Sequence, residues 1–311
     1  MPSDRHPTRR RLPAAASTLV APLVAGADAT ASVLGVHRFA LYLSVGESVL
    51  PVLTSDAVPL PTAVRLGVRS GDLAWGVVVG DAVRVGAGRI ALPGADVVVA
   101  RTWRPARVTV ATGSGFRCPA VLLSGPLGTA LATPGGTGIG WLADGIRAVC
   151  STVGCSGGRR SSQVSTRLAD TERTAAVAAL VGRGEGLTPS GDDALAGALL
   201  VSVALGTGTA LADAVRARLA TTTAVSAALL DAAADGRAAR PVVTLVDAAV
   251  AGDRDAVARA LPAVLAIGHT SGADTVTGIR AALECGVGCR GGRGSGHRST
   301  RLEKSSRRSA A

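Results

Sequence analysis

The chain has 311 residues, 47% of them hydrophobic but only 2% aromatic, and carries a formal charge of +11. That length allows one large core or two ordinary ones, packed mainly with Ala, Val and Leu. The charge excludes a basic nucleic-acid surface on the body: residues 1–13 and 290–311 hold eleven of the 33 basic and two of the 22 acidic residues, leaving a nearly neutral 22 against 20.

Residues 1–18 read as a disordered basic tail, with Arg, Ser and Pro and no apolar period. Arg9-Arg10-Arg11-Leu12 ahead of Ala14 to Ala27 imitates a twin-arginine leader, but Pro13 and Pro22 interrupt the apolar segment, so a cytoplasmic protein is expected. Residues 19–150 read as a β-rich domain. Val33 to Val45, Leu73 to Val79, Val83 to Val85 and Ala95 to Ala100 are strand candidates, punctuated by Gly and Pro at the short spacing of an antiparallel sheet. The clusters Gly113-Ser114-Gly115 and Gly135 to Gly138 read as turns. Residues 151–166 read as a Gly/Ser/Arg linker.

After that linker the apolar period changes from two to about 3.6. Helices are expected near 167–181, 192–206, 209–220, 223–235, 241–251, 253–266 and 273–285, with Gly182, Gly236, Gly252 and Gly268 as C-terminal caps. Pro262 should bend the sixth of these or open it. The uncharged run Ala194 to Ala212 is a buried helix, since its apolar part falls short of the roughly 20 residues that span a bilayer. Residues 286–311 read as a second disordered basic tail, and the expected class is α+β: an N-terminal antiparallel β-rich domain, then an α-helical domain over 167–285.

The five cysteines, at 118, 150, 155, 285 and 289, lack zinc-site spacing and a nearby ligand histidine, so they read as free thiols in a reducing compartment. Chemistry concentrates elsewhere. Gly184-Glu185-Gly186-Leu187-Thr188-Pro189-Ser190-Gly191-Asp192-Asp193 is echoed by Gly268-His269-Thr270-Ser271-Gly272-Ala273-Asp274, and each precedes an apolar helical run. Ser190 with Asp193 and Ser271 with Asp274 have the spacing of capping boxes. Capping does not explain Gly191 and Gly272, which cost helix stability but let something approach the backbone closely. Helix N-termini with free amides attract anions. Either the carboxylates turn away as caps and leave the amides to an anion, or Asp192 and Asp193 hold a hard cation such as Mg²⁺. The anion is the expectation adopted, with no metal and no cofactor.

In that reading the amides of Gly191, Asp192 and Gly272 join Gly186 and the hydroxyls of Thr188, Ser190, Thr270 and Ser271 around one small anion. His269 is the acid–base candidate, with Asp192, Asp193 and Asp274 as catalytic carboxylates. His37 and Arg38 are further binding candidates, Arg38 through its planar fork.

The ten-residue motif, Thr222 and Ser226 ahead of Ala233 and Gly236, and Gly268 to Thr275 resemble the AllH family. Weaker likenesses are Val36-His37 with Phe39, Leu60-Pro61 and Trp103-Arg104-Pro105, so the resemblance covers about residues 19–285. The sequence departs from the family pattern at Ala273, where a large aromatic commonly follows Ser-Gly. The resemblance implies a subunit of a multi-subunit carbamoyltransferase of allantoin breakdown. That enzyme moves a carbamoyl group between phosphate and oxamate, splitting oxalurate by phosphate in the physiological direction. Partners would be a small anionic substrate and the other subunits, with no membrane. A noncatalytic assembly subunit, or a nucleic-acid-associated protein acting through its tails, are the alternatives; nucleic acid is the less expected.

Overall fold

The computed structural model describes residues 9–111, 140–151 and 163–291. Eight strands close a mixed barrel: β1 (Arg10–Ser17), β2 (Ala29–Val36), β3 (Ala40–Val45), β4 (Ser48–Leu53), β5 (Val64–Leu66), β6 (Ala82–Gly86), β7 (Arg89–Leu92) and β8 (Ala95–Trp103). Their order around the barrel is β1-β5-β4-β3-β2-β6-β7-β8. Pairing is antiparallel except for β4 with β5 and the closing pair β1 with β8, which sets Leu12 opposite Val97. A short helix, α1 (Ala21–Ala25), links β1 to β2.

Alternation fills the interior with modest aliphatics: Leu12, Ala14, Val33, Leu41, Leu43, Leu50, Val52, Ile90 and Val97 are all buried. Trp75 is the one aromatic in this cluster, its indole N–H donating to the His37 carbonyl at 2.8 Å.

Three sequence expectations change here. Residues 10–17 are not a disordered tail but β1; their inward positions are Leu12, Ala14 and Ala16, too small and too close to an arginine run to read as a strand. The run Val33 to Val45 is two strands, because His37 and Ala40 exchange backbone hydrogen bonds around a tight turn. Leu73 to Val79 forms no strand: Gly76 adopts φ +66°, the Val78 amide is taken by the Asp81 carboxylate at 2.8 Å, and Val78 and Val79 face solvent.

The helical region comprises α2 (Gly140–Ser151), α3 (Gln163–Leu180), α4 (Ser190–Ala204), α5 (Thr209–Arg216), α6 (Ala224–Ala234), α7 (Arg240–Ala251), α8 (Arg254–Leu265) and α9 (Ser271–Gly291). The expected helices are present, and Gly182, Gly236, Gly252 and Gly268 all take positive φ, the left-handed geometry of a helix stop. Pro262 lies inside α8, where its carbonyl still accepts the Ala266 amide. Helix α2 was not anticipated, and it packs with the helical core through Leu142, Ile146 and Val149. A two-stranded ribbon, β9 (Ala106–Arg107) with β10 (Arg237–Ala238), and Val108 also pack with that core. The expected helical limit moves, since α9 runs on to Gly291. The glycine clusters at 113–115 and 135–138, Cys118, Cys155, residues 1–8 and residues 292–311 lie outside the described residues.

Helix α4 is buried on nearly every face, and α9 crosses it at backbone contact. A Cβ at Gly197 would collide with the Thr275 carbonyl, and one at Gly278 with the Ala194 carbonyl. Among the described residues no helix is long and apolar enough to cross a membrane.

Candidate functional site

The two Ser-Gly segments do meet. Thr188 Oγ1 and Ser271 Oγ lie 3.0 Å apart, where the turn before α4 touches the start of α9. The meeting has a pseudo-twofold pattern: Ser190, Gly191, Asp193, Ala194 and Gly197 correspond to Ser271, Gly272, Asp274, Thr275 and Gly278, each 81 positions on. The collisions at Gly197 and Gly278 are related by that correspondence. So are those of Gly191 with the Leu180 carbonyl and Gly272 with the Val264 carbonyl, at the ends of α3 and α8. The carboxyls follow the same rule. The Asp193 carboxyl feels the hydroxyls of Ser271 and Thr188, and that of Asp274 the hydroxyls of Ser190 and Thr270. Each is thus influenced by one hydroxyl of its own turn and one of the other.

The backbone of these turns differs from the expectation. The Gly191 amide donates to the Arg183 carbonyl at 2.9 Å, the Asp192 and Asp193 amides to the Pro189 carbonyl at 2.9 and 3.1 Å, and Gly272 to Ile267 at 3.0 Å. The amides assigned to an anion are therefore committed to carbonyls, and both glycines serve close helix packing. Capping boxes do not form at α4 either: Pro189 is the N-cap, with no side-chain cap bond. A side-chain cap is found at α6, where Thr223 accepts the Ser226 amide at 3.0 Å.

Asp192 and Asp193 are neighbours with opposite surroundings. Asp192 is 1% exposed; its carboxylate accepts the Gly182 amide at 2.8 Å, the Ser226 hydroxyl at 2.7 Å and the Thr222 hydroxyl. It ties the end of α3 to α6 and is fully occupied in doing so. Asp193 has an Oδ2 buried with no hydrogen-bond partner, as does Asp274, which is 5% exposed. Burial pushes the Asp193 carboxyl up to about 7; the charges of Asp274 and Asp192 add to that rise, and the Ser271 and Thr188 hydroxyls oppose it. Asp274 is likewise raised, chiefly by burial.

Asp193, Thr188, Ser271 and Thr275 open onto a cavity of about 390 Å³ between the two halves of the molecule. Its barrel wall is His37, Tyr42, Leu53 and Leu60; Leu187, Val225, Leu229 and Arg237 complete it. Burial raises the Tyr42 hydroxyl. His37 stands edge-on to Tyr42, with ring centroids 5.8 Å apart. Arg237 is paired with Asp235 at 2.6 Å.

The remaining expected site residues divide. Gly268 lines the cavity, while His269 and Thr270 are exposed and outside its wall. Gly186 is exposed at φ +86°. Arg38 stacks on the Phe39 ring at 5.1 Å, outside the cavity wall. Of the two turn histidines, His37 is the one that lines the cavity. Sequence reading missed Tyr42, Thr275 and Arg237; the last follows directly on the Gly236 stop, a signal that marked the turn but not its direction. Among the described residues no three His, Cys, Asp or Glu side chains come together as a metal group.

No solved structure matches the chain. A family model does: residues 180–283, which build both turns and most of the cavity's helical wall, match the family described as oxamate carbamoyltransferase subunit AllH.

Proposed function

We propose that this chain is a cytoplasmic subunit of a carbamoyltransferase that moves a carbamoyl group between phosphate and oxamate, and that the interdomain cavity holds the small substrate. The observation that carries the reading is the contact of Thr188 with Ser271 at the cavity wall, inside the stretch that matches the family. In the transfer, an oxamate nitrogen attacks the carbamoyl carbon, the phosphate oxygen leaves with the bonding pair, and the proton shed by the nitrogen passes to the departing phosphate; phosphate attack on oxalurate is the reverse. The hydroxyls of Thr188 and Ser271 are placed to orient the carbamoyl or carboxylate oxygens, and Arg237 supplies a positive charge on the same wall. Ser190, Thr270 and Asp274 act behind them by holding the paired turns. No nucleophile–base pair calls for a covalent intermediate.

The test is an assay of the purified chain, alone and with its partner subunits, on carbamoyl phosphate and oxamate. Replacing Ser271→Ala together with Thr188→Val is expected to lower turnover on the order of a hundredfold, with the assembly intact. Undiminished turnover in that double variant would sink the catalytic reading.

A second reading, a noncatalytic assembly subunit, is favoured by one observation. The turn amides and Asp192 are wholly used in internal bonds, as a scaffold would use them. It predicts that the same double variant changes subunit affinity and leaves turnover per assembled complex untouched.

A further inference from the structure

The cluster at the paired turns contains more acceptors than donors. The buried carboxylate of Asp192 is satisfied, receiving an amide and two hydroxyls. One residue on, Asp193 leaves Oδ2 buried and unpartnered, and Asp274, 95% buried by its 5% exposure, does the same. The two lie close enough for the charge of Asp274 to act on Asp193. The polar groups that act on them are hydroxyls and carboxylates, not cationic side chains. Two buried carboxylates without a countercharge are costly, and a bound cation is one remedy.

The donor set is all oxygen, which selects a hard ion rather than zinc or copper. Mg²⁺ binds through one or two carboxylates, keeps waters, and commonly takes substrate phosphate oxygens at the open positions. Neighbouring ligands of an octahedron with bonds of about 2.1 Å lie about 3 Å apart, the spacing of Thr188 Oγ1 and Ser271 Oγ. We infer that Asp193 and Asp274, with the hydroxyls of Thr188 and Ser271, hold one divalent cation of the Mg²⁺ class where the two turns meet. Its open face looks into the interdomain cavity, through which Asp193, Thr188 and Ser271 are reached. The ion's binding stands on these residues alone. Only its further role, as a seat for the phosphate of a carbamoyl donor or product, rests on the proposed function.

The experiment uses the full chain, stripped with chelator and titrated with MgCl₂ by calorimetry and with MnCl₂ by electron paramagnetic resonance. One ion per chain is expected, with Mg²⁺ displacing Mn²⁺. Asp193→Asn and Asp274→Asn should each weaken Mn²⁺ binding about tenfold or more, judged on protein whose circular dichroism matches the parent. Should Asp274→Asn fail to fold, Ser271→Ala serves in its place, with a smaller weakening expected. No saturable binding of either ion up to about 10 mM, a concentration at which even weak extracellular-type sites fill, overturns the inference. So does binding that survives both Asn variants. Mn²⁺ bound by a complex that transfers no carbamoyl group would sink the proposed function and leave the ion site standing; transfer by a complex that binds neither ion would do the reverse.

Discussion

The two turns that open α4 and α9 share a pattern of Ser, Gly and Asp, yet they are anchored differently. The first has Asp192, which fastens it to Gly182, Thr222 and Ser226; the second has Ala273 at the corresponding place and no such tie. The second turn leaves Gly268, His269 and Thr270 exposed beside the cavity. What the pair has in common is therefore the crossing of the helices and the carboxyl–hydroxyl exchange. What distinguishes them is how far each is built into its surroundings. A repeated motif can keep its chemistry symmetric while only one copy carries the fold.

The shared part should be the more fragile. Gly278→Ala drives a methyl into the Ala194 carbonyl, and Gly197→Ala into that of Thr275, both backbone atoms that cannot rotate aside. Either change should cost about 3 kcal/mol or more in a urea melt. A loss below about 1 kcal/mol would mean the helices can slide apart freely. The asymmetric part comes next. Asp192→Ala strands an amide, the buried Ser226 hydroxyl and the half-buried Thr222 hydroxyl, and should cost about 2–4 kcal/mol. Asp193→Asn in metal-free protein, with an unpartnered oxygen to lose, should cost less than about 1 kcal/mol. Equal effects at 192 and 193 would erase the distinction drawn between them.

Smaller still are the single tethers of the first turn. Thr222→Val and Ser226→Ala should each cost about 1 kcal/mol, while Thr270→Val at the exposed second turn should cost clearly less; differential scanning calorimetry of the three ranks them. Last is the surface network behind the cavity wall, where Asp235 meets Arg216 at 2.7 Å and Arg237 at 2.6 Å. Asp235 is partly desolvated, which raises its carboxyl, but the two guanidiniums outweigh that and hold it below its ordinary value. A lowered folded-state value means stability present above the unfolded-state pKa and lost as the pH falls through the folded one. With half of Asp235 in solvent, Asp235→Ala should cost under about 1 kcal/mol near neutrality. That difference should vanish in acid; a difference that persists unchanged there would refute the electrostatic account.

The sequence made the helical half legible because an apolar period near 3.6 ends repeatedly at a glycine, and each of those glycines proved to be a left-handed stop. The echo between the two Ser-Gly segments correctly foretold their meeting. It could not reveal what the glycines were for. Gly191 and Gly272 announce a close approach to the backbone, and in both cases the approaching atom is a carbonyl of the preceding helix rather than a ligand. The barrel was harder to read for the opposite reason. Its β1 shows arginines and alanines where a strand usually shows Val and Ile, and its hairpin at His37–Phe39 turns without Gly or Pro. His37 was singled out from the sequence, but that it would share a wall with Asp193 depended on how two halves dock, which no local pattern encodes.

The parallel seam between β1 and β8 has a consequence for synthesis. As the chain leaves the ribosome, Leu12 must wait for Val97 before the barrel can shut. Until then the early strand has an open edge through most of the first half's translation. Contacts so distant along the chain slow folding and prolong the exposure of sticky edges. Charged Arg10 and Arg11, which made this segment resemble a tail, sit at the head of that waiting strand as guards against pairing with a neighbour.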